Sequence, residues 1–178
     1  HSLRRRQRQM CIRDRFEDYR ALRGQFDKLV SIEMIEAVGK RYLKTFFKRC
    51  NALLKPNGRM AIQAITIADQ RYASYSRNVD FIQRYVFPGG FLPSITAMND
   101  TMTRCTGLVV RDLFDIGFDY ARTLHEWRER VQRYWNAQLD GAQDERFRRL
   151  WLFYLCYCEA GFRARTISTV QLIAERRA

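Results

Sequence analysis

Apolar positions along this chain recur with two different periods, and the changes of period mark its elements. Phe26–Glu33 opens as a short apolar run and predicts a buried strand. Glu33 and Glu36 follow where the chain turns, and Gly39 comes just before a change to helical spacing. Over Gly39–Lys55, the residues Tyr42, Leu43, Phe46, Phe47, Cys50, Leu53 and Leu54 form one apolar stripe. Lys55–Gly58 (KPNG) ends that helix, because Pro56 cannot continue it and Asn57-Gly58 favours a turn. Arg59–Ile67 then reads as a second buried strand. Strand, helix, turn and strand in this order make a βαβ unit, with parallel strands and a right-handed crossover.

The alternation breaks over Ala68–Arg104. Asp80–Val86 predicts a short helix and Pro93–Arg104 another. Between them lies Tyr85–Ser94 (YVFPGGFLPS), with two prolines, two glycines and several large apolar side chains. Loops normally face water, so a segment this apolar is either packed onto the surface or forms the lid or wall of a hydrophobic site. Leu108–Ile116 predicts a third strand. Asp119–Leu139 and Gln143–Ala160 predict amphipathic helices, and the β-branched Thr166–Ala174 a closing strand. The pattern describes one α/β domain over residues 16–178, with no repeat and no linker.

Composition changes this picture at one end. The net charge is +13, and residues 1–15 supply +5 of it through six arginines and one aspartate. That segment has no apolar period, and MCIRDR resembles translated adapter sequence. It is read as a non-native or disordered flank in preference to a basic nucleic-acid arm. The remaining charge is mixed with acids along the helices and suits a solvated surface, with attraction to phospholipid or nucleic acid as the alternative. No apolar run reaches the roughly 20 residues needed to cross a bilayer. The five scattered cysteines form no CxxC pair, so no metal site is expected and a reducing, cytoplasmic setting is.

No P-loop, GxSxG, HExxH or GxGxxG is present. Candidate chemistry therefore rests on isolated positions. Glu33 and Glu36 stand at a strand's C-terminal edge, where open α/β sheets hold ligands. Gln63 lies inside an apolar strand, where a buried amide must find partners or face a site. Tyr120 and Cys158 lie on helix faces that also read as core.

Several segments taken together point further. SIEMIEAVG (Ser31–Gly39), LLKPNG (Leu53–Gly58), QAITI (Gln63–Ile67), FIQRYVFPGGFLPS (Phe81–Ser94), DIGFDYARTLHEWRER (Asp115–Arg130) and DERFRRLWLFYLCYCEAGFRAR (Asp144–Arg165) closely resemble, in this order, the cyclopropane-fatty-acyl-phospholipid synthases and mycolic acid cyclopropane synthases. The resemblance implies the C-terminal part of a Rossmann-like class I methyltransferase sheet, with an antiparallel last strand beside Leu108–Ile116 and an inserted lid. It implies transfer of a methyl group from S-adenosylmethionine to the cis double bond of a phospholipid acyl chain. The carbocation then loses a proton to a bound bicarbonate and closes to a ring. Such a cation needs a dry, apolar site, which gives YVFPGGFLPS a reason for its composition.

By the same resemblance, Glu36, Gln63, Ile65 and Tyr120 form the bicarbonate cradle, Cys158 is an active-site residue, and Tyr19 stacks on the cofactor's adenine with Arg20 beside it. Glu33 is left as structural or near the cofactor. Gln63 stands where relatives have histidine; it can bind an anion but cannot titrate near neutral pH. The partner is an unsaturated phospholipid at the inner membrane surface, reached by a peripheral cytoplasmic protein with no nucleic acid, and a homodimer of the whole enzyme stays open. The family's glycine-rich cofactor loop has no match in the chain. Alone, the chain is expected to be inactive and to bind S-adenosylmethionine poorly. Two other readings remain: methylation of a lipid or small molecule without ring closure, and a basic module that binds nucleic acid or membranes.

Overall fold

A computed structural model describes residues 14–137 and 144–178. Strand β1 (Phe26–Ile32) leads into a one-turn helix α1 (Ile35–Val38), a 3-10 turn (Lys40–Tyr42) and helix α2 (Leu43–Leu53). Strand β2 (Leu54–Ile67) returns parallel to β1, so the expected βαβ unit is present. Most of the apolar stripe is present, with Leu43, Phe46, Phe47, Cys50 and Leu53 buried on α2, but Tyr42 ends the 3-10 turn and is exposed. Leu54 is buried too, but as the first extended residue of β2 and not the end of the helix. The expected KPNG turn becomes a bulge within β2. Phe26 pairs with Leu54 and Lys28 already with Arg59, so Lys55–Gly58 loops out of the ladder.

Helix α3 (Asp69–Tyr75) was not expected; it has no buried residue and hence no apolar stripe to read. Helices α4 (Phe81–Tyr85) and α5 (Ile95–Cys105) fall close to their predicted places, capped by Asp80 and Ser94. Strand β3 (Leu108–Asp115), helices α6 (Gly117–Ala137) and α7 (Glu145–Arg163), and strand β4 (Ile167–Arg176) complete the chain. The predicted ends of the last two helices at Gln138, Leu139 and Gln143 lie outside the described residues, as does most of the 1–15 flank.

The sheet order is β1-β2-β4-β3. Strand β4 runs antiparallel to β3, as the resemblance implied, and also to β2, so it separates the two. One sheet face carries Met60, Ile62, Ala64, Val170 and Leu172 against α2 and α5. The other supports α6 and α7, whose Ala121, Leu124, Leu155 and Phe162 pack with Ile65 and Ile167. These helices do not reach the β1 end of that face, where Val30 is 67% exposed and Ile32 58% exposed.

Candidate active site

Strand β1 ends in a backbone conformation that is unusual for its residue. Glu33 has φ 49°, in the left-handed region that side chains other than glycine rarely adopt. Its amide still joins the ladder by donating to the Gln63 carbonyl at 2.9 Å. The Glu33 side chain is held by two donors. Gln63 Nε2 donates to Oε1 at 2.8 Å, and the Tyr120 hydroxyl donates to Oε2 at 2.9 Å. Gln171 on β4 donates to Gln63 Oε1 at 2.9 Å, which fixes which end of the Gln63 amide faces Glu33. The network draws on β1, β2, β4 and α6 and lies outside any single stretch of sequence.

One turn later Glu36, on α1, lies against β2. Its Oε1 accepts the Ile65 amide, while Oε2 is buried without a partner. Burial raises the Glu36 carboxyl above the usual carboxylate range, and two backbone hydrogen bonds only partly oppose this. Burial and the Glu33 hydrogen bond both hold the Tyr120 phenol in its neutral form, well above the tyrosine range.

Glu33, Glu36, Ile65, Tyr120 and Cys158 all line one cavity of 1290 Å³. The apolar loop is its wall. Phe87, Pro88, Phe91 and Leu92 face it, so the choice left open by composition falls to the wall and not to a packed surface loop. That wall is tied down at several points. The Phe91 amide donates to the Glu36 carbonyl at 2.9 Å, the Leu92 amide to the Tyr75 hydroxyl at 3.2 Å, and Gln83 Nε2 to the Gly90 carbonyl at 2.9 Å. Phe91 also packs between Tyr72 and Tyr75. The α7 end also lines it: Phe162 lies 4.9 Å from Tyr120 by ring centroids.

The remaining sequence candidates fall in three different places. Tyr19 and Arg20 do not reach the cavity. Tyr19 packs edge-on against Phe46, 5.7 Å away, in the α2 core, and Arg20 closes on Asp18 at 2.6 Å. Cys158 is on the cavity wall, and burial pushes its thiol up to about 12, which favours the neutral thiol. Gln63 reaches the site through Glu33 and is not itself on the cavity wall. Sequence reasoning undervalued Glu33 and missed Gln171. The available signal was Gln63, because an amide in an apolar strand needs partners at both ends.

The residues as folded do not fit a bound bicarbonate. Of the expected donors, the Gln63 amide and the Tyr120 hydroxyl are taken by Glu33 and the Ile65 amide by Glu36. Among the described residues, an added anion would find these three donors engaged and would face the Glu33 carboxylate.

The family described as mycolic acid cyclopropane synthetase matches residues 3–172. The chain belongs to this family. It is 42% identical over 154 residues to the tuberculostearic acid methyltransferase UfaA1 of Mycobacterium tuberculosis, which covers 86% of this chain and 36% of that protein. It is 36% identical over 161 residues to the cyclopropane-fatty-acyl-phospholipid synthase of Escherichia coli K12, covering 90% and 40%. The chain thus spans well under half the length of these relatives. The crystal structure of the mycolic acid cyclopropane synthase CmaA1 with SAH and CTAB matches with TM-score 0.78 at 26% identity, over 89% of this chain and 58% of that one. The open sheet is therefore of the class I S-adenosylmethionine-dependent methyltransferase type.

Proposed function

We propose that the full-length protein transfers a one-carbon unit from S-adenosylmethionine to the cis double bond of an unsaturated phospholipid acyl chain. The observation that carries this reading is a pair of glutamates, Glu33 and Glu36, on the wall of a large, mainly apolar cavity. At 1290 Å³ it exceeds the roughly 300–1,000 Å³ of pockets for drug-sized ligands. When bound, S-adenosylmethionine supplies an electrophilic methyl group on a sulfonium cation, a charge that the Glu33 carboxylate suits. An alkene is a weak nucleophile, so the walls must align it with that methyl. Phe87, Phe91 and Leu92 exclude the water that would quench the cation. The relatives named above support the reaction class. The substrate is reached at a membrane surface, and no helix among the described residues is long and apolar enough to cross a membrane.

A second reading, methylation without ring closure, is favoured by one comparison: the tuberculostearic acid methyltransferase is more similar to this chain than the Escherichia coli enzyme is. Both readings are tested by expressing the full-length product of the source gene in a strain without cyclopropane lipids. Mass spectrometry of its fatty acids should show unsaturated chains heavier by one methylene group. Loss of unsaturation then marks ring closure and its retention marks methylation. Unchanged fatty acids, with folded protein that binds S-adenosylmethionine, would refute both.

A further inference from the structure

We propose that Glu33 is the base of this site: its own carboxylate, clamped between Gln63 and Tyr120 at the cavity wall, takes the proton that the substrate cation must lose. The inference rests on the proposed reaction and deepens it.

Three observations converge on Glu33. It is a carboxylate lining a mainly apolar cavity, and each oxygen already accepts one hydrogen bond, from Gln63 and from Tyr120. That clamp fixes its direction and leaves lone pairs on both oxygens. Gln171 orients the clamp from behind by holding Gln63 Oε1. The backbone is the second observation. A left-handed glutamate at φ 49° is held there against its local preference, and such strain gathers at functional sites. The third is competition: among the described residues, the Gln63, Tyr120 and Ile65 donors expected to hold a free anion are already engaged by Glu33 and Glu36.

The step balances without a further reagent. The alkene π pair forms a bond to the donor methyl as the sulfur–methyl bond breaks, leaving a cation on the neighbouring carbon. For ring closure, a C–H bond of the added methyl then breaks and its electron pair closes onto the cationic carbon. The proton passes to Glu33 and from there to water. If the cation first moves onto the methylated carbon by a 1,2-hydride shift, loss of a proton from the same methyl gives a C=CH2 branch in place of the ring. Glu33 serves in either case. The neutral Tyr120 phenol remains its hydrogen-bond donor throughout.

The test uses the full-length enzyme and two variants. Glu33→Gln should lower product formation by about 100-fold or more, the usual contribution of a positioned general base. Glu33→Gly removes the carboxylate, relieves the left-handed strain and so should fold at least as well as the parent. In bicarbonate-free buffer it should be as inactive as Glu33→Gln and should recover when formate or bicarbonate is added. Carbon-13 NMR of labelled bicarbonate should show binding to Glu33→Gly and none to the parent. Parent activity that requires bicarbonate, a Glu33→Gly variant active without added anion, or a folded Glu33→Gly variant that no anion rescues would each overturn the proposal. If the parent itself leaves acyl chains unchanged, the reaction is wrong. The bicarbonate-binding comparison still decides whether Glu33 fills the anion's place.

Discussion

At Glu36 one side chain meets two opposing demands. Its Oε1 serves the Ile65 amide, while Oε2 is buried with nothing to bind. Burial raises its pKa above the ordinary 4.5, so the fold favours the protonated acid. Its contribution to stability is complete below pH 4.5 and is lost as pH rises through the raised value. Glutamine keeps a carbonyl for Ile65 and carries no charge. Glu36→Gln should therefore raise the melting temperature near neutral pH and leave it nearly unchanged below pH 4.5. A lower melting temperature at neutral pH would refute this account. Residue types hinted at some of these roles but did not fix them. SIEMIE offers two glutamates, and nothing local says that the first is clamped by Gln63 and Tyr120 while the second binds a backbone amide. Cys158 shows the reverse. Its apolar helix face was visible in the sequence, and the raised thiol agrees with that face more than with a catalytic role.

Among the elements, α2 and β2 were legible because their apolar periods extend over enough residues to define a buried face. Helix α3 was not, because DQRYASY contributes no buried side chain, although Tyr75 holds the wall loop through Leu92. The KPNG segment was correctly placed but wrongly typed. Its bulge depends on the β1 ladder beside it, which lies far away in sequence. Gly58 is the fixed point of that bulge. A Cβ there would sit 2.8 Å from the Lys55 carbonyl and 3.2 Å from the Asp27 carbonyl, both backbone atoms. Gly58→Ala should therefore destabilise the fold by about 1–3 kcal/mol, as overpacking does. The shift would appear in the urea midpoint with an unchanged slope. An unchanged midpoint would mean that the bulge yields at no cost.

At the scale of the whole molecule, the sheet is uncovered at its β1 end. Strand β1 is an edge strand, and on its outer face Val30 and Ile32 stand 67% and 58% exposed. An open edge with apolar neighbours is a template for pairing with another strand. The chain as given should therefore self-associate with rising concentration. Val30→Thr with Ile32→Thr should reduce this in sedimentation or light scattering while the melting temperature changes little, since neither side chain is buried. Equal association by both forms would place the contact elsewhere. The sequence alone determined the α/β class, the βαβ unit, the apolar wall segment and the family, because periodicity and ordered motifs are local properties of a chain. The tertiary structure alone decided the insertion of β4 between β2 and β3, the separation of Tyr19 from the cavity and the two donors on Glu33. These depend on side chains from distant segments meeting at one sheet edge. Lys28–Gly39 named both glutamates, but only packing against Gln63, Ile65 and Tyr120 gave each its chemistry.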